Sequence, residues 1–206
     1  ACAPYRRLHL CNKNMVKMDT NNDSKAKHKL LLDVCLAAKY EGESLKGYHD
    51  QYDSKYPGSD FSMCTMLARS FADIGDIVRG RDLYFGKRKK KKQNGKETER
   101  DELESKLKDI FAKIYNEVTN GRSKSSASAL QKRYKDDTPD FLKLREDWWT
   151  ANRHTVWEAI TCDDKLSNSK YFRGTCGGDE KTGTQASHKC RCDDKRNTDP
   201  PTYFDY

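Results

Sequence analysis

Six consecutive cations, Lys87, Arg88, Lys89, Lys90, Lys91 and Lys92, interrupt the chain with no acid among them. Such a run meets a polyanion by neutralising adjacent sulfates or phosphates and releasing their counterions. Adjacency matters, because one exposed ion pair contributes only about 0–1 kcal/mol. These six side chains are the candidate contacts for a sulfated glycan. The competing reading is a solvated loop held open by its own repulsion. Glu97, Glu99, Asp101, Glu102 and Glu104 follow closely, favour the start of a helix and offset part of the charge.

The eight cysteines are Cys2, Cys11, Cys35, Cys64, Cys162, Cys176, Cys190 and Cys192. Only Cys190 and Cys192 are close, and no CxxC pair occurs, so the spacing disfavours zinc and no metal site is expected. An even set spread over the chain reads as disulfides made in an oxidising compartment. His9, His28, His49, His154 and His188 are scattered, and neither HExxH nor GxSxG is present. No GxGxxG or GxxxxGK[ST] loop occurs for nucleotide phosphates, so neither a cofactor nor an enzymatic activity is expected.

Asp73 and Asp76 stand close together, but paired carboxylates do acid–base work only when their surroundings separate their pKa values. Capping a helix turn or pairing with Arg69, Arg79 or Arg81 is their expected use. Trp149 and Trp157 lie about two helical turns apart, on one face. Core packing is expected there rather than sugar stacking, with Trp148 the ring that reaches the surface.

The elements that position these residues are helices. The 206 residues suffice for one domain or two small ones. Apolar residues make up 34% and charged residues 35%, a balance that disorder would share. However, seven Phe and three Trp are present and the apolar residues cluster at helical spacing, which indicates a folded helical domain. Forty Lys and Arg against 32 acids give a net charge of +8, which favours polyanionic partners: sulfated glycans, sialylated surfaces, nucleic acid or anionic lipid. No apolar run of about 18 residues occurs, so no direct membrane insertion by this chain is expected. There is no signal peptide and no initiator Met, and the chain reads as a piece of a larger protein.

Residues 1–24 form a cysteine-bracketed segment ending in the polar "DTNNDS". A helix is predicted from Lys25 to about Tyr48 on Leu30, Leu31, Val34, Cys35, Ala38 and Leu45. Asp60 is the expected N-cap of a second helix carrying Phe61, Cys64, Leu67, Ala68 and Phe71. Gly75 and Gly80 are expected to flank a separate short turn, "DIVR". Leu103, Leu107, Ile110, Phe111, Ile114 and Val118 predict an amphipathic helix stopped at Asn120-Gly121. "SKSSASALQKRYKDD" reads as a loop, and Thr138-Pro139 as the start of a last helix running through the tryptophans to Cys162. Beyond Cys162 little periodicity remains, and cysteines must hold the chain. The predicted fold is all-α: a disulfide-stapled helical bundle with long irregular loops.

Seven blocks occur in order: "ACAPYRRLHLC", "LLDVCLAAKYEGESL", "ARSFADIGDIVRGRDLY", "LREDWWTANRHTVWEAITC", "YFRGTC", "CRC" and "PTYFDY". Together they resemble the alpha class of Duffy-binding-like domains in Plasmodium falciparum erythrocyte membrane protein 1, the var gene family. The resemblance implies that 1–206 is part of one such domain: an N-terminal segment 1–24, a helical core 25–162 with a basic loop at 86–96, and a cysteine-rich end 163–206. It implies a non-enzymatic, extracellular adhesion module, monomeric within a multidomain, membrane-anchored chain on the face of the infected red cell. The implied roles are cytoadherence, rosetting and antigenic variation, through host cell-surface receptors or glycans. A structural spacer supporting a neighbouring receptor-binding domain is the alternative. A nucleic-acid-binding protein is the rival class, disfavoured because nuclear and cytosolic thiols stay reduced.

The resemblance also implies two disulfides, Cys64–Cys162 and Cys176–Cys192, with Cys190 and Cys2 pairing outside this sequence. A Cys64–Cys162 bridge would close a loop of roughly 100 residues, an entropic gain of about 4–5 kcal/mol. From "DIGDI" onward the chain carries Cys162, Cys176, Cys190 and Cys192, the commoner family pattern, which leaves the receptor open.

Overall fold

Helices form where the apolar stripes run, and some of their ends are closed by side-chain or backbone hydrogen bonds. The computed structural model describes residues 5–19, 25–57, 62–82, 98–120, 124–177, 182–193, 195 and 198–206. In chain order the helices are α1 (Tyr5–Leu8), α2 (Lys13–Val16), α3 (Ala26–Lys55), α4 (Met63–Arg79), α5 (Glu99–Asn120), α6 (Lys124–Arg133) and α7 (Leu142–Ile160). A 3-10 turn follows at Asp164–Leu166. Among the described residues there is no sheet, only isolated bridges at Cys176–Thr184 and His188–Arg191. The architecture is an all-helical bundle with two disulfides and long loops. No helix among the described residues is long and apolar enough to cross a membrane.

α4 is the central element. It buries Met63, Cys64, Leu67, Ala68, Phe71, Ile74, Ile77 and Val78, with Ser70, Asp73 and Arg79 buried beside them, and packs against α3 and α7. Phe71 sits between Trp149 and Trp157 of α7, with ring centroids 5.0 and 5.2 Å away. Each such contact adds about 0.5–1.5 kcal/mol beyond burial. The expected break at Gly75 does not occur. α4 runs through it, because a Cβ there would lie 2.8 Å from the Trp149 ring, so glycine serves close packing. Gly80, at φ 71°, supplies the left-handed stop. The expected cap Asp60 and the residue Phe61 lie outside the described residues; Ser62 precedes the first turn.

α3 extends past Tyr48 to Lys55, buries Leu30, Val34, Ala38 and Leu45, and packs mainly on α7. α5 buries Leu103, Leu107, Ile110, Phe111 and Ile114. Its start is a reciprocal cap: Thr98 Oγ1 accepts from the Asp101 N–H at 3.2 Å, and Asp101 Oδ2 accepts from the Thr98 N–H at 3.3 Å. The supposed loop at 123–137 contains α6, since "SALQKR" joins good helix formers and the element packs on α5.

α7 begins at Leu142 rather than at Pro139. Asp137 reaches its first turn and accepts from the Lys143 and Leu144 N–H groups at 2.8 and 2.9 Å. Trp148, expected at the surface, is only 4% exposed and meets Phe111 edge-on at 6.2 Å between centroids.

Candidate functional site

Asp82 follows the left-handed stop of α4 and is buried, which is where a carboxylate needs charged partners. Arg7 of α1 pairs with it. Arg100 of α5 approaches the same carboxylate at 2.8 Å and donates to the Asp82 carbonyl at 3.0 Å. Burial draws the Arg100 guanidinium below its ordinary value while Asp82 opposes that drift. Only residues 83–97 separate Asp82 from Thr98. This contact therefore joins the two flanks of the stretch that carries Lys87, Arg88, Lys89, Lys90, Lys91 and Lys92. Those six, with the rest of 86–96, lie outside the described residues.

A cavity of about 340 Å3 opens beside the junction, lined by Arg7, Asp82, Arg100, Glu104, Lys108 and Asp140 together with apolar residues. Its charges meet partners already: Arg145 lies 3.0 Å from Glu104, and Lys108 2.6 Å from Asp140. The cavity is an ion-paired foundation for the junction.

Asp73 and Asp76 do not act as a pair. Asp73 takes a fork of two hydrogen bonds from Arg6, at 2.7 and 3.1 Å. Asp76 accepts from Arg79 at 2.9 Å, and burial raises its carboxyl while Arg79 opposes the shift. Arg79 also meets Glu146 at 3.3 Å and donates to the Asp205 carbonyl. Asp73 thus ties α1 to α4, whereas Asp76 pairs within α4 with the arginine that reaches α7 and Asp205. No group of three His, Cys, Asp or Glu among the described residues is placed to hold a metal ion.

The sulfur pairs are Cys64–Cys190 and Cys176–Cys192. The expected Cys64–Cys162 bridge is not formed, and Cys190 does not need a partner outside the sequence. Cys64 faces the core one residue inside α4, and Cys190 is fully buried over α7, its carbonyl accepting from Trp157 Nε1 at 3.1 Å. Cys162 lies beyond the end of α7, exposed and free; Cys11 and Cys35 are also free but half-buried. Cys2 lies outside the described residues. Burial pushes the Cys35 thiol up to about 11, with Glu158 adding to the shift.

The Arg7–Asp82–Arg100 junction escaped sequence reasoning, as did the acceptor Asp205. The only signal was the charge alternation in "GRDLY" and "ETERDE", which does not name partners across 75 residues.

All 206 residues match the family model described as the Duffy binding domain. The chain belongs to the Duffy binding domain family. Its members are non-catalytic adhesion modules. This Duffy binding domain is similar to a solved structure titled "Structure of the ICAM-1-binding PfEMP1 IT4var13 DBLbeta domain", at 31% identity and a TM-score of 0.57. The match covers 78% of this chain and 34% of that one, so the chain spans about a third of the solved domain's length. No curated protein matches it.

Proposed function

We propose that this Duffy binding domain is an alpha-class adhesion module of erythrocyte membrane protein 1, displayed on the outer face of the infected red cell. It binds host cell-surface receptors or sulfated glycans, with Lys87, Arg88, Lys89, Lys90, Lys91 and Lys92 supplying the polyanion contact. In this reading residues 1–206 are part of one domain, with 1–24 leading into a core at 25–162 and a cysteine-rich end at 163–206. The alpha class rests on the ordered sequence blocks, since the similar solved domain is of the beta class.

The observation that carries the proposal is the family match over all 206 residues, an adhesion family, in a chain of net charge +8. The Asp82–Arg100 contact supports it further. It ties the flanks of the basic stretch at one point, so ordering those flanks costs little on binding. The ICAM-1-binding title of the similar domain supports a receptor-binding role.

The test is retention of the oxidised chain on immobilised heparin against N- and O-desulfated heparin. Retention that depends on sulfate and weakens with salt is expected. Equal retention on both matrices overturns the glycan reading.

A further inference from the structure

A second hollow, also of about 340 Å3, opens where α1, α3 and α4 meet, on residues separate from those lining the cavity beside Asp82. Buried Leu45 and half-buried Met66 supply apolar surface, and Tyr48 supplies a ring that is 62% exposed. Arg6, His9, Glu41 and Arg69 supply polar atoms. Most of these are engaged. Arg6 grips Asp73, and Glu41 accepts from the Cys11 N–H at 3.0 Å and the Ser70 hydroxyl at 2.8 Å. Arg69 is different: it is exposed, and no carboxylate pairs with it among the described residues.

From the hollow, α3 continues with Tyr52 and Tyr56 at four-residue steps beyond Tyr48, 46% and 50% exposed. The three tyrosines share a face and span about 12 Å of helix. The Tyr52 and Tyr56 rings pack 5.0 Å apart, and the Lys55 ammonium lies 5.5 Å from the centre of the Tyr56 ring. One exposed tyrosine needs no explanation. Three on one face, leading into an apolar hollow with a guanidinium that no described carboxylate pairs, present the side-chain types enriched where proteins bind proteins: Tyr, Met and Arg.

We propose that Tyr48, Tyr52, Tyr56 and the Arg69 hollow form a docking surface for an extended segment of a partner protein carrying a carboxylate between apolar side chains. Charge complementarity selects that partner. The carboxylate pairs with Arg69, an apolar neighbour enters the space lined by Leu45 and Met66, and the rest lies along the tyrosines. The surface is independent of the basic stretch 86–96, which has no aromatic residue and attracts polyanions by charge density alone.

The test probe is acetyl-Leu-Asp-Phe-amide, with acetyl-Leu-Asn-Phe-amide as its uncharged counterpart. Each is titrated into the oxidised chain carrying 13C at the methionine methyls. Met15, Met18 and Met63 are buried, so the Met66 methyl is the reporter at the surface. The expected result is a saturable Met66 shift with the Asp peptide, weakened about fivefold for the Asn peptide and for Arg69→Ala or Tyr48→Ala. Tyr48→Phe, which keeps the ring, retains binding. An unmoved Met66 signal, equal response to both peptides, or unchanged affinity in Arg69→Ala overturns the proposal. So does a Met66 shift that follows protein concentration without peptide, which would mark an interface between copies. Replacing Lys89, Lys90, Lys91 and Lys92 with Gln leaves the titration unchanged; loss of the shift there assigns binding to the basic stretch and overturns the docking surface, whatever heparin does.

Discussion

The indole Nε1 of Trp149 donates to the carboxylate of Asp205 at 2.9 Å, joining the middle of α7 to the "YFDY" segment 56 residues later. Arg153, one turn further along α7, adds two hydrogen bonds to the same carboxylate at 2.9 and 2.8 Å. Asp205 is only 2% exposed, so one carboxylate neutralises a buried guanidinium and satisfies a buried indole.

Removing it leaves Arg153 charged in a dry site. Asp205→Ala is expected to cost about 3–5 kcal/mol, the range for breaking a buried pair on one side. Asp199 also approaches Arg153, at 3.5 Å, but its side chain is 87% exposed, so Asp199→Ala is expected to change little. Urea unfolding of both variants with disulfides intact checks the contrast; equal losses contradict it.

Two glycines of α3 are expected to respond in opposite directions. A Cβ at Gly42 would sit 2.3 Å from the Ile160 carbonyl oxygen, so Gly42→Ala forces α3 and α7 apart and costs about 1–3 kcal/mol. Nothing lies within 4 Å of a Cβ at Gly47, and Gly47→Ala gains about 0.5–1 kcal/mol from helix propensity. Thermal melts of the pair read both signs.

The cysteines make a chemical prediction. In the folded chain exposed Cys162 is alkylated first at pH 8, whereas Cys35 stays a protonated thiol until the pH climbs toward 11. A non-reducing peptide map is expected to show Cys64 joined to Cys190. A fragment joining Cys64 to Cys162 contradicts this connectivity. The Cys64–Cys190 bridge spans 126 residues, a closure worth about 4–5 kcal/mol, so Cys64→Ser lowers stability far more than Cys162→Ser.

Asp147 governs part of the acid limb of stability. Arg133 bonds it through two nitrogens at 2.7 and 2.6 Å and holds its carboxyl below the usual carboxylate range, with partial burial opposing and the Tyr134 hydroxyl assisting. A folded value below the unfolded one adds stability above about pH 4, which is lost as pH falls through the folded value. Asp147→Asn is therefore less stable than the parent at pH 6 and indistinguishable from it at the lowest pH. A constant difference from pH 2 to 6 contradicts this.

Much of the fold was legible because apolar spacing is local. Leu103 through Ile114 announce α5, and Leu30 through Leu45 announce the buried face of α3. What stayed hidden depends on contacts between distant residues. Gly75 looked like a break because its use is to admit the Trp149 ring, and "SALQKR" looked like a loop because its polar composition masks a helix packed on α5. Trp148 is buried because Phe111 lies opposite, a fact no helical period contains. The partner of Cys64 follows from where the 163–206 segment crosses α7, which lacks periodicity altogether. For the candidate site, the basic run was plain in the sequence, whereas the Arg7–Asp82–Arg100 junction between its described flanks required the folded chain.

The most direct measurement is the salt dependence of heparin affinity for the oxidised chain, compared with a variant in which Lys89, Lys90, Lys91 and Lys92 are all Gln. The account predicts earlier elution of the variant and a slope of log affinity against log salt shallower by roughly one for each cation that contacts the glycan. Identical elution and slope for the two proteins would contradict a polyanion contact at these residues.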